Sequence, residues 1–180
     1  MRVLWICNII LPVIAEALHR EASNKEGWLS GLLSQIVDRE DTGMTLAVAF
    51  PVPAGEEIPQ SFVVRVQGEH PACVVEATSA TEAASAPEGG GGYLVRCYGH
   101  EDTVHPDRYQ PELEEELRKI TEDYDPDVIH CFGTEYPHTL AVCRVYPHPE
   151  RILLGIQGIC SLCAEAYFAD LPERVTRKVT

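Results

Sequence analysis

At 180 residues the chain is sized for one domain and can bury roughly two-thirds of its unfolded surface without covalent staples. A formal charge of −14, with no basic stripe, argues against a nucleic-acid partner, because a polyphosphate requires a cationic face. The seven cysteines are odd in number, and Cys7, Cys97, Cys131 and Cys143 sit in apolar runs, as small core residues do in a reducing, cytoplasmic compartment.

Met1 to Leu18 has an arginine, an apolar run and small residues, the ingredients of a secretory leader. Asn8 and Pro12 interrupt it, however, and the segment reads better as the start of an α/β pattern. No apolar run reaches the roughly 20 residues needed to span a bilayer, so no membrane span is expected. Arg2 to Cys7 has strand length and suits the first strand of a parallel sheet. Asn8 to Glu26 then forms a long connection, a length that usually signals a functional loop.

A helix is expected from Gly27, with Trp28, Leu29, Leu32, Leu33, Ile36 and Val37 on one face, ending before Gly43. Thr45 to Phe50 is a second strand closed by Pro51 and Pro53, and Ser61 to Val66 a third. From 77 to 92 small and polar residues lead into four glycines, too few large apolar groups to offset ordering entropy, which predicts a flexible insertion. Tyr93 to Tyr98 returns to strand character. Pro111 opens a helix with Leu113, Leu117, Ile120 and Tyr124 as its buried stripe and acidic residues ahead of Arg118 and Lys119. Val128 to Phe132 is a strand suited to burial on both faces, followed by a helix from Pro137 to Val145 and a buried strand from Ile152 to Ile156. A short helix is expected from Ser161 to Phe168. This alternation implies an α/β fold: a doubly wound, mainly parallel sheet with helices on both faces.

In such sheets ligands bind beyond the carboxyl ends of the strands. That edge gathers Asn8, Gly27, Trp28, the turn Gly133, Thr134, Glu135 and His138, and Gln157 with Gly158. Gly27 at a helix start offers free amides to a phosphate or carboxylate, or simply lets the chain turn into the helix. His130, inside a strand, belongs to a class of histidines more often satisfied in the core than catalytic. Glu135 is either a solvated carboxylate or an acid/base and hydroxyl-binding group. No Gly-x-Gly-x-x-Gly follows the first strand and no Gly-x-x-x-x-Gly-Lys-Ser/Thr occurs, which disfavours an NAD-type domain and a P-loop. Cys160 and Cys163 have Cys-x-x-Cys spacing without a second pair and read as packing residues. His100, Glu101, Asp102 and His105 fit no metal-site spacing and read as a solvated loop, so no metal is expected; a small metal-dependent domain on His100, Asp102 and His105 is the weaker reading.

The residues Gly27-Trp28-Leu29-Ser30-Gly31-Leu32 after a long first loop, Asp127-Val128-Ile129-His130, Gly133-Thr134-Glu135-Tyr136-Pro137-His138, and Ile156-Gln157-Gly158 together resemble the N-terminal domain of family 4 glycosyltransferases of the GT-B fold. The resemblance covers nearly the whole chain outside the 77–92 insertion. It implies that residues 1–180 form a Rossmann-like single half of a GT-B enzyme, truncated before the C-terminal donor-binding domain, and that the isolated chain is inactive. It implies no cofactor, but a nucleotide-sugar co-substrate and a sugar or other hydroxyl acceptor. By position, Gly27 would lie near the donor phosphates, and His130, Thr134, Glu135 and His138 on the acceptor side. His130 and Glu135 are the catalytic candidates, with Asn8, Gly27, Trp28, Gly133, Thr134, His138, Gln157 and Gly158 as binding residues. In a retaining transfer the acceptor hydroxyl attacks from the front face and the departing diphosphate takes its proton. The chain departs from the family pattern at Phe132, where many members have a second histidine, and at Gln157-Gly158, where many have His-Gly. The alternative reading is a non-catalytic α/β module holding a small molecule or protein in the same crevice.

Overall fold

The computed structural model describes residues 1–21, 27–39, 43–67, 70–74, 92–102, 108–156, 158 and 162. The expected insertion to residue 91, the Ser161 to Phe168 helix apart from Leu162, and Gln157, His105, Cys160 and Cys163 lie outside them.

Seven strands form one sheet: β1 (Arg2–Ile6), β2 (Thr45–Val52), β3 (Ser61–Gln67), β4 (His70–Val74), β5 (Tyr93–Glu101), β6 (Val128–Phe132) and β7 (Ile152–Gly155). The order is β4-β3-β5-β2-β1-β6-β7. The five strands from β5 to β7 are mutually parallel, whereas β3 runs antiparallel to both β5 and β4. The sheet is therefore mostly parallel with an antiparallel edge.

Apolar alternation along β1 assigns the two faces. Val3, Trp5 and Cys7 point into a core shared with α1 (Pro12–Ala17) and α2 (Gly27–Val37), through Leu11, Ile14, Leu29 and Leu33. Leu4 and Ile6 point into a second core with α3 (Glu112–Tyr124) and α4 (Pro137–Val145), through Leu113, Leu117, Ala141 and Val142. A strand covered on both faces must be apolar at successive positions, as β1 is.

The elements differ from expectation where a local rule is overridden. The Asn8 to Glu26 connection contains α1, only six residues long, with Pro12 pre-set for its first turn. β2 runs through Pro51 to Val52. Cys7 donates to the Ala49 carbonyl just past the end of β1, so the N–H that Pro51 lacks is only the last bond of that ladder. β5 extends to Glu101, which puts His100 in a strand rather than a loop. β7, expected to be buried, is the last strand among the described residues: Leu153 is 54% exposed and the following Ile156 63% exposed.

The helices of the second layer are set by clear local signals. α3 ends where Asp125 takes a left-handed conformation, φ 50°, and its amide returns to the Thr121 carbonyl. Asp127 then locks β6 to β1: its amide donates to the Arg2 carbonyl at 2.8 Å and its carboxylate accepts the Arg2 amide at 2.7 Å. α4 starts with Pro137 after an extended Tyr136. From β1 the chain proceeds to β2 on one side and, much later, to β6 on the other. The strand order thus switches between β1 and β6, and a crevice opens at their carboxyl ends.

Candidate functional site

The turn after β6 is built on Gly133, whose φ of +85° is a left-handed conformation that other residues adopt only with strain. A Cβ there would also lie 3.1 Å from Tyr136 Cδ2 and 3.2 Å from Glu135 Oε1. The Gly133 amide donates to the Gly155 carbonyl at 3.0 Å, and its own carbonyl accepts the Thr139 hydroxyl. The turn is so held to β7 on one side and to α4 on the other.

Thr134 at its tip is exposed. Glu135 folds back across Gly133, and its Oε2 is buried without a hydrogen-bond partner among the described residues. A buried carboxylate oxygen left so is costly unless a ligand, water or proton satisfies it.

His138, in the first turn of α4, is 2% exposed. Its ring stacks on Tyr136 at 5.6 Å with 9° between planes, lies 5.8 Å from the His100 ring, and brings Nε2 within 3.4 Å of the Phe132 carbonyl. Burial, reinforced by the neighbouring His100, pushes its pKa down to about 3. His100 is 3% exposed, with Nδ1 at 3.0 Å from the Glu101 carbonyl oxygen and Nε2 lacking a hydrogen bond among the described residues. Burial lowers its pKa too, against the pull of the Glu101 carbonyl, Glu116 and the Cys7 carbonyl. His138 thus lies beneath the crevice rather than on its surface, paired with a histidine that its sequence position assigned to a solvated loop.

The open part of the crevice lies between β6, β7 and the start of α2. Trp28, His130, Phe132, Gly155 and Ile156 line a cavity of ≈ 410 Å³. Trp28 is 49% exposed and meets Phe132 edge-on, centroids 5.3 Å apart. From the sheet side Trp5 also meets Phe132 edge-on, at 5.2 Å, so the wall is fixed by a stack that reaches into the core. His130 lies 3.9 Å from the Phe132 ring and makes no hydrogen bond among the described residues. Its partial burial lowers its pKa, which leaves the imidazole neutral at pH 7, able both to donate and to accept. Gly155 forms part of the floor: a Cβ on it would lie 3.3 Å from His130 Nε2 and 3.5 Å from Phe132 Cδ1.

The structure therefore brings Trp28 and His130 together, and it joins Glu135 to Gly133 in the adjoining turn. Gly27 heads α2, and among the described residues nothing lies within 4 Å of where its Cβ would stand. Asn8 follows β1 at the same edge, Gly158 lies beyond β7, and Gln157 is outside the described residues. Among the described residues no group of three His, Cys, Asp or Glu could hold a metal ion, and none of the described helices is long and apolar enough to cross a membrane. Sequence reasoning missed Gly155 and Ile156. A glycine inside an otherwise apolar strand was the available signal, since it marks close approach of a neighbour.

Fold and site define an α/β domain with a ligand-sized crevice at the carboxyl edge of a mostly parallel sheet. Compared with models of known protein families, with curated proteins and with solved structures, the chain has no match.

Proposed function

We propose that this chain is the acceptor-binding half of a GT-B glycosyltransferase, a doubly wound, Rossmann-like domain that presents a hydroxyl acceptor to a nucleotide-sugar held by a second domain. The observation that carries this reading is the position of the crevice. Trp28, His130 and Phe132 converge with Gly155 at the carboxyl ends of β6 and β7, one strand from the point where the strand order switches, and the Gly133 turn adjoins them. The order and spacing of the Gly27–Leu32, Asp127–His138 and Ile156–Gly158 segments support the same assignment.

In the reaction, the acceptor oxygen forms a bond to the anomeric carbon as the bond from that carbon to the diphosphate breaks, and the hydroxyl proton passes to the departing diphosphate. The domain supplies orientation and hydrogen bonds rather than a nucleophile. His130 is placed to bond the acceptor hydroxyl. Glu135, in the adjoining Gly133 turn and outside the cavity lining, is the second candidate of this reading.

The test is release of nucleoside diphosphate from a panel of nucleotide-sugars in the presence of hydroxyl acceptors. The complete gene product releases it in an acceptor-dependent way, and residues 1–180 alone do not. Turnover by the isolated chain overturns the half-enzyme reading, and no turnover by the complete product overturns the transferase. The aromatic wall at Phe132, where the family 4 glycosyltransferase pattern often has a histidine, favours a second reading as a non-catalytic binding module. That reading gains if the complete product binds a ligand at Trp28 and transfers nothing.

A further inference from the structure

We infer that His138 and Thr139 form an acid-released latch: they hold the Gly133 turn against the start of α4 while His138 is neutral, and protonation of that imidazole frees the turn while the sheet stays folded. The inference stands on the geometry of the turn and is independent of the transferase reading.

Two neighbouring side chains in the first turn of α4 reach two successive backbone carbonyls. Thr139 donates its hydroxyl to the Gly133 carbonyl, and His138 brings Nε2 to 3.4 Å from the Phe132 carbonyl oxygen. A carbonyl oxygen only accepts, so Nε2 carries the proton of the neutral ring and Nδ1 is the atom that a second proton would occupy. The ring is held from two sides, by Tyr136, stacked at 5.6 Å, and by His100 of β5 at 5.8 Å. The clasped turn pivots on Gly133, whose φ of +85° is open to glycine without strain.

A cation is disfavoured in this position. His138 is 2% exposed and is the second residue of α4, where the free amides of a helix N-terminus oppose positive charge. Among the described residues, Glu116 of α3, Asp102 beyond β5 and the Cys7 and Glu101 carbonyls act on His100, whereas His138 feels His100 and the Phe132 carbonyl. Glu135 and Tyr136 are the other titratable side chains of the turn. The low pKa of His138, about 3, agrees with this setting. A protonated His138 regains solvation by leaving the stack, and it carries with it Thr139 and the bond that holds Gly133. Once open, the imidazole returns to a pKa of about 6.5, so each pH unit below that value favours the open turn by up to about tenfold.

The test is two-dimensional NMR of the chain without denaturant, titrated from pH 7 to pH 4. The Gly133 amide and the His138 ring resonances should move together to a second state. The Asp127 amide, bonded to the Arg2 carbonyl at the far end of β6, and the far-UV circular dichroism should keep their neutral values. His138→Gln abolishes the transition, Thr139→Val moves it to higher pH, and Glu135→Gln leaves it in place. Titration of His138 without a response at Gly133 overturns the latch, as does no transition down to pH 4. Loss of the Asp127 signal together with that of Gly133 marks global unfolding and also overturns it. A transition that survives His138→Gln or vanishes in Glu135→Gln belongs to another group and rejects the assignment. An unmoved midpoint in Thr139→Val does the same, which keeps the test decisive if His138→Gln does not fold.

Discussion

Gly155 lies directly against His130: a Cβ on the glycine would come within 3.3 Å of the imidazole Nε2 and equally close to the Cys131 carbonyl oxygen. Contacts this tight require the histidine ring and the Cys131 backbone to yield by a few tenths of an ångström. Gly155→Ala is therefore expected to narrow the cavity while the sheet adjusts and persists, because β7 is the outermost strand among the described residues. The stability change should stay within about 1 kcal/mol, whereas the His130 ring resonances shift and ligand binding weakens. Unchanged His130 resonances in the variant would contradict this geometry.

Gly133→Ala should behave in the opposite way. Here the backbone itself requires glycine, at φ +85°, and the added Cβ also meets Tyr136 and Glu135. A loss of about 1–3 kcal/mol is expected, read as a lowered urea midpoint with an unchanged slope. The variant should also disturb the Gly133 amide bond to Gly155, so hydrogen exchange at that amide should accelerate beyond the global effect.

The paired histidines predict an acid-side loss of stability. Folding depresses the pKa of His138 to about 3, and that of His100 also falls, while both return to about 6.5 when unfolded. The unfolded chain then binds more protons than the folded one below about pH 6.5. The stabilisation is present in full above that value and is lost as pH falls towards the folded pKa. Each histidine adds a slope of at most about 1.4 kcal/mol per pH unit. Urea midpoints measured between pH 7 and pH 4.5 should drop, and His138→Gln should flatten the dependence. A midpoint independent of pH across that window would refute the pair's neutral burial.

Leu117 of α3 is fully buried among Leu4, Ile6 and Ile129, in the core opposite α1 and α2. Leu117→Ala should cost about 2–5 kcal/mol through lost transfer energy and a residual cavity. Because Phe132 and Trp5 behind the Trp28 cavity belong to the core on the opposite face of the sheet, the environment of His130 should not change. Thermal melts combined with the His130 ring resonances separate the two effects.

Much of this architecture was legible in the chain. The α3 stripe Leu113, Leu117, Ile120 and Tyr124 is buried as its spacing implies, and α4 spans Pro137–Val145 as proline at its first turn suggests. What escaped was set by tertiary context. α1 is too short to show a periodicity, β4 holds Pro71 in the outermost strand among the described residues, where a missing amide is tolerated, and Pro51 costs β2 only the last bond of its ladder with β1. The crevice was legible as an edge, through Trp28, His130 and Glu135. Its division into an aromatic cavity and a buried histidine pair was not, because His100 on β5 and His138 at the start of α4 meet from elements far apart in sequence.

The Asp127 lock on Arg2 has a kinetic consequence. It joins residues 125 positions apart, and β1, between β2 and β6, gains its second neighbour only when β6 is available. Closing so long a loop is entropically slow, and contacts of this separation delay folding. During synthesis Val3, Leu4, Trp5 and Ile6 therefore keep one side of their strand unpaired until Val128 to Phe132 have been made, and the pairing that fills that side also brings His130 and Phe132 to the crevice.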